Sequence, residues 1–126
     1  MVKKAVFEVV GCTRAELEDT LKSSIGFSSV IPVETRSGLL RVQVKIKSMS
    51  RISNCWELKT GLSSGSKWMW GEVFDICIYD DETALRMVVT RKKGVGRINA
   101  DVLGMWILEL VRSKNSNLTV RIVERF

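Results

Sequence analysis

The sequence predicts an α+β domain: an antiparallel sheet of about five to seven strands packed against two helices, in two layers and in the order β-α-β-β-β-β-β-α-β. Three observations carry that prediction. Most of the chain between Ser29 and Arg91 alternates apolar and polar residues with a period of two, the mark of half-buried strands. Two other segments, 13–25 and 99–112, repeat apolar residues at the three- and four-residue spacing of a helix face. The strands are joined by short polar turns, which suit antiparallel neighbours.

The elements follow in order. Residues 3–10 read as a strand with Ala5, Phe7 and Val9 on one face and Lys4, Val6 and Glu8 on the other. Gly11-Cys12 ends it. Thr13-Arg14-Ala15-Glu16 then has the form of a capping box, in which the Thr13 hydroxyl accepts the Glu16 N–H and the Glu16 carboxylate accepts the Thr13 N–H. Leu17, Leu21 and Ile25 make one apolar stripe, Glu18 precedes Lys22 at the favourable spacing, and Gly26 stands where a left-handed C-cap belongs. Ser29 to Thr35 is a short strand whose Pro32 calls for an edge or an irregular start. After the turn Arg36-Ser37-Gly38, residues 39–47 alternate, with Leu40, Val42, Val44 and Ile46 inward and Arg41, Gln43, Lys45 and Lys47 outward.

Ser48 to Asn54 is a loop or bulge. Cys55 to Thr60 is a strand with Trp56 and Leu58 on one side, and Gly61 to Ser66 is a flexible turn. Phe74, Ile76 and Ile78 form the apolar face of the strand from Val73 to Tyr79. The acids of Asp80 to Thr83 make a solvated hairpin loop, and Leu85, Met87 and Val89 face the core from the partner strand. Asn99 caps the second helix, Asp101 suits its first turn, and Leu103, Trp106, Ile107, Leu110 and Val111 form its apolar face. A polar turn at Asn115-Ser116-Asn117 leads into a last strand, 118–124.

Length and composition set limits on function. A chain of 126 residues is one domain, 1–126, and buries roughly two thirds of its unfolded surface without needing a staple. No apolar run is long enough to span a membrane, and Glu8 interrupts the only stretch resembling a signal peptide. The three cysteines, Cys12, Cys55 and Cys77, form no CxxC pair, so each is expected as a reduced, buried small hydrophobe in a cytoplasmic protein. Histidine is absent, which removes Ser-His and Cys-His nucleophile pairs and the commonest neutral-pH base. With no catalytic motif and no short-spaced ligand set, no enzyme activity, cofactor or metal is expected.

The net charge of +6 is unevenly placed. Between Thr35 and Cys55 lie Arg36, Arg41, Lys45, Lys47 and Arg51 with no acid, and between Thr83 and Ala100 lie Arg86, Arg91, Lys92, Lys93 and Arg97 with no acid. Each stretch is +5, so the rest of the chain carries −4. Such asymmetry fits an electropositive face and an anionic partner, an acidic phospholipid surface or a nucleic acid backbone. Arg41, Lys45 and Lys47 share one strand face, on which alternate positions are about 7 Å apart, and Arg86 joins them if its hairpin pairs nearby. The run RKKGVGR, 91–97, places Arg91, Lys92, Lys93, Arg97 and two glycines before a helix N-terminus, a geometry that suits phosphate or carboxylate, although it matches neither standard nucleotide-loop motif. Trp56 and Trp106 are expected in the core. Trp68 and Trp70 share a strand face and either pack inward or line a groove.

Two resemblances extend this reading. The outline of a strand, a helix ending in Gly26-Phe27, several antiparallel strands and a closing helix, together with VFDICIYDDETALRMVVTRKKG and the helix to Val111, resembles the kinase-associated C-terminal domain. That resemblance implies binding of anionic phospholipid headgroups through surface cations, here Arg41, Lys45, Lys47, Arg91, Lys92, Lys93 and Arg97. The segment KWMWGEVFDICI before a long hairpin and terminal helix is similar to small START-like helix-grip proteins. That implies an apolar-ligand cavity lined by Trp68, Trp70, Met87 and Trp106. The closing strand is additional to both outlines. The reading is therefore a non-enzymatic basic binding module, cytoplasmic and peripheral to a membrane if lipid is its partner. The alternatives are a START-like pocket protein and a subunit that self-associates or docks a protein partner.

Overall fold

Among the described residues of the computed structural model, seven strands and two helices follow one another as β1 (Lys4–Val10), α1 (Arg14–Ser23), β2 (Ser28–Thr35), β3 (Gly38–Ile52), β4 (Cys55–Ser64), β5 (Lys67–Asp81), β6 (Ala84–Lys93), α2 (Ala100–Lys114) and β7 (Thr119–Arg125). The structure describes residues 1–64, 67–94 and 97–126, with the side chains at 64, 67, 69 and 70 left aside. The strands form one antiparallel sheet in the order β2-β3-β4-β5-β6-β1-β7. The fold is thus α+β, as the sequence predicts. Pro32 lies on β2, an edge strand, where its missing N–H breaks no central ladder.

The sheet is curled, and the register shows why. Lys47 is an extra residue in β3 opposite β4, β5 has one residue too many opposite Thr60, and Lys92 is extra in β6 opposite β5. These three irregularities fall at neighbouring levels of adjacent strands, and each bulge bends and twists its strand. The curl brings the free edge of β2 round to the segment before α2, where the Glu34 N–H donates to the Arg97 carbonyl at 2.8 Å.

One apolar core fills the inner side. Phe7, Phe74, Ile76 and Met87 meet Leu17 and Leu21 of α1 and Leu103 and Ile107 of α2. Helix α2 lies over β1, β6 and β7. It comes close because residue 104 is glycine: a Cβ there would overlap the Phe7 ring. The capping box of α1 forms as read, with Glu16 N–H donating to Thr13 Oγ1 and Thr13 N–H donating to Glu16 Oε1, both at 3.1 Å. Trp56 is buried and donates its indole N–H to Glu18, and Trp106 packs half-buried against the core.

Several expectations need correction. Helix α1 stops at Ser23 and caps at Ser24, whose hydroxyl donates to the Leu21 carbonyl; Ile25 is therefore exposed and off the apolar stripe. Gly26 does take a left-handed φ of 89°, but it turns the chain into β2 with its N–H donating to Ile46 O. Residues 48–52 continue β3, and Gly61 to Ser64 continue β4 instead of forming a flexible turn, while Gly65 and Ser66 lie outside the described residues. Leu40 shares the inward register of Val44 and Ile46, yet it is exposed because the hairpin runs past the core. Asn99 holds the N-cap position without a capping bond: its side chain accepts from Val2 N–H and donates to Glu34. Cys55 and Cys77 face each other across β4 and β5 and are joined in a disulfide, so the reduced state expected of all three thiols does not hold for this pair. Cys12 is free and half-buried, and burial, reinforced by Glu16, pushes its thiol above the usual range.

Candidate anion-binding surface

Antiparallel pairing decides which cations meet. The start of β3, the end of β6, the start of β1 and the end of β7 all lie at one end of the sheet, because Thr35 pairs with Gly38, Lys4 with Thr90 and Ala5 with both Val89 and Arg125. Arg91 N–H donates to Lys3 O and Lys3 N–H to Phe126 O at that same end. The Glu34–Arg97 backbone bond then closes the arc, so the two acid-free stretches, separate in sequence, come together with Glu34 between them, its carboxylate accepting from Asn99. Arg36, Arg41, Lys93 and Arg97 are exposed there.

What distinguishes this end is how few of its cations have partners. Towards the opposite end, Arg14 pairs with Asp80 at 3.1 Å, Arg51 with Glu18 at 3.6 Å, Arg86 with Asp81 at 2.9 Å, Arg121 with Glu8 at 3.1 Å, and Arg112 with Glu109. Arg125 pairs with Asp101 beside the N-terminus of α2. Among the described residues, Arg36, Arg41, Lys45, Lys93 and Arg97 form no ion pair. Arg41 reaches only the Val30 carbonyl of its own hairpin, at 3.4 Å. Lys45 lies over the exposed ring of Trp68, 5.4 Å from its centroid, on the face opposite Val44 and Ile46.

The outer face carries a second group of cations, partly neutralised. Lys92 Nζ donates to Glu57 at 2.7 Å and Lys59 Nζ stands 3.9 Å from the same carboxylate. The Lys92 hydrogen bond, with the charges of Lys92, Lys59 and Lys93 added, holds the Glu57 carboxyl below the usual carboxylate range. The same bond, helped by Asp75, raises Lys92 above the usual lysine range. Glu57 therefore stays ionised at neutral pH and subtracts one charge from the three lysines around it.

Arg86, Arg91 and Lys47, all expected binding positions, are ion-paired or half-buried. Arg86 does not join the stripe: it sits opposite Tyr79 and Glu8 and is bound to Asp81, whose hydrogen bond raises the guanidinium still further. Arg91 is half-buried opposite Phe74. Lys47 is half-buried at the β3 bulge. The expectation of free N–H groups at the start of α2 does not hold at Arg97, Ala100 and Val102. Ala100 N–H donates to Val2 O, Val102 N–H to the Asp101 side chain and Arg97 N–H to Glu72. Val95 and Gly96 lie outside the described residues.

Glu72 is the residue that strand alternation passed over. It is fully buried. Its Oε1 accepts Arg97 N–H at 2.9 Å, while Oε2 has no hydrogen-bond partner among the described residues. Thr60 donates its hydroxyl to the Glu72 carbonyl at 2.9 Å, and Gly94, at φ 129°, lies directly on the carboxylate. A buried acid thus stands against Gly94 and Arg97 of the basic loop. The sequence signal was its register: Glu72 shares the parity of Phe74, Ile76 and Ile78.

The residues named for an apolar groove do not line one space. Met87 is fully buried in the core, Trp106 packs on that core from α2, and Trp68 is on the outer face with Lys45; the Trp70 side chain lies outside the described residues. A cleft of about 210 Å³ instead opens between the helices, lined by Glu16, Asp19, Thr20, Val111, Lys114 and Asn115. Compared with protein-family models, curated proteins and solved structures, the chain finds no match in any of the three.

Proposed function

We propose that this protein is a non-enzymatic binding module whose basic end docks on an anionic surface, and that the surface is an acidic phospholipid membrane. The observation that carries the reading is the contrast in pairing: Arg36, Arg41, Lys45, Lys93 and Arg97 have no carboxylate among the described residues, while arginines towards the other end each hold one. Cations left unneutralised on one side give a field that attracts anions. The reading takes the two helices as a layer filling the inner side of the sheet, which leaves its outer face and basic end to a partner. Lipid is favoured over nucleic acid because exposed apolar side chains accompany the cations, including Leu39, Leu40 and Trp68. The resemblance to the kinase-associated C-terminal domain points to the same partner class.

The test is flotation with phosphatidylserine-containing vesicles beside a gel shift on nonspecific DNA, each at about 0.05 M and about 0.2 M salt. The expected result is vesicle binding that weakens with salt. Binding to DNA alone would transfer the surface to nucleic acid. Binding to neither at the lower salt would remove the reading altogether.

A further inference from the structure

We infer that the β2–β3 hairpin tip inserts into the bilayer, so that attachment combines an apolar anchor with the cations around it. This inference rests on the membrane reading above and adds to it a depth, an orientation and two residues. Leu39 and Leu40 are consecutive, so they point to opposite sides of the hairpin, and they are 65% and 53% exposed. An exposed leucine alone means little. Two adjacent ones beside the turn, both more than half exposed, make an apolar patch flanked by Glu34 and Arg41.

The polar groups of the turn are suited to leaving water. Ser37 N–H donates to Thr35 Oγ1 at 3.2 Å, and the Thr35 hydroxyl donates to Gly38 O at 2.8 Å. The Thr35 hydroxyl therefore satisfies a donor and an acceptor that an apolar medium would penalise if left bare. The two-residue connection is made possible by Gly38, whose φ is 108°.

Arg41 stands at a matching height. Strand rise puts Arg41 about 7 Å behind Leu39, and an interfacial segment enters roughly 5–10 Å. With the leucines in the acyl boundary, Arg41 comes level with the phosphates, while Arg36, in the turn beyond them, has to extend its guanidinium back along the hairpin to reach the same layer. Lys45 and Trp68 lie about 20 Å behind Leu39 along the strand, outside the headgroup layer, where Lys45 adds to the field of the basic end. Nucleic acid does not explain aliphatic side chains at this point, because they offer no ring to stack on a base. A second copy is also a poor occupant: a stable protein interface covers about 800 Å² per partner, far more than a turn presents.

The experiment uses Leu39→Ser/Leu40→Ser in the full chain, with flotation on vesicles of equal parts phosphatidylcholine and phosphatidylserine. Salt is set at about 0.1 M and about 0.5 M, the second chosen to screen the cations. The thermal transition of the variant is measured beside that of the parent, and both are sized by light scattering. The expected result is a roughly tenfold loss of vesicle partitioning at both salts, with an unchanged transition. If the parent binds and the variant binds equally, insertion is overturned while the basic-end reading stands. If the parent binds no vesicle at either salt, both fail. If the parent is a dimer and the variant a monomer, the tip serves a second copy and insertion is overturned.

Discussion

At the scale of single residues, a close steric constraint joins Glu72 and Gly94. The glycine has a φ of 129°, and a Cβ there would overlap the Glu72 carboxylate. Two costs therefore fall on Gly94→Ala: backbone strain and collision with a buried side chain. Together they should lower stability by about 1–3 kcal/mol. Only the second cost depends on Glu72. In a double-mutant cycle by urea denaturation, Glu72→Ala should relieve part of the loss at Gly94→Ala, giving a coupling of about 1 kcal/mol. Strict additivity would mean that the carboxylate and the glycine do not share this space. Glu72 was half legible beforehand. Its register with Phe74 and Ile76 is visible in the sequence, but its acceptor role needs Arg97, and no periodicity shows where a loop 25 residues later will fold back.

At the scale of elements, what was legible is what local chemistry decides. The capping box of α1, the alternation of β3 and the edge position demanded by Pro32 depend on near neighbours, and each is present. Strand ends were not legible. β3, β4 and β5 run past the expected limits because partner strands supply hydrogen bonds to segments such as Gly61 to Ser64, whose composition reads as a turn. The cysteines illustrate the same point. Separated by 22 residues, Cys55 and Cys77 become partners only once the β4–β5 register sets them opposite each other. Closing such a loop should stabilise the fold by about 2–3 kcal/mol, at the low side of that range because the hairpin already restrains it. Cys55→Ser/Cys77→Ser should lower the urea midpoint accordingly, and a reducing agent should do the same to the parent while leaving the variant unmoved. A parent insensitive to reductant would remove the bond from the account.

At the scale of the whole molecule, the question is whether a partner reads the amount of charge or its place. The sequence displays the two acid-free stretches, but not that the curl stitches them together through Glu34 and Arg97. Nor does it display that Arg86, inside one stretch, is spent on Asp81. Two double variants separate the possibilities. Arg36→Gln/Arg97→Gln and Arg14→Gln/Arg112→Gln each lower the net charge of +6 by two. The first pair lies at the basic end and has no carboxylate partners among the described residues; the second pair is bound to Asp80 and Glu109. Arg112 lies about 18 Å along α2 from Ala100, and Asp80, which holds Arg14, about 23 Å along β5 from the level of Lys93, each about twice the screening length of about 10 Å at 0.1 M salt. A membrane at one end therefore scarcely feels the charges at the other. Each cation beside an anionic leaflet contributes about 1 kcal/mol, so the first variant should lose roughly thirtyfold in vesicle partitioning and the second less than about twofold. Flotation on phosphatidylserine vesicles at one salt concentration compares them directly. Equal losses would mean that net charge alone is being read, and the basic end would then have no special standing.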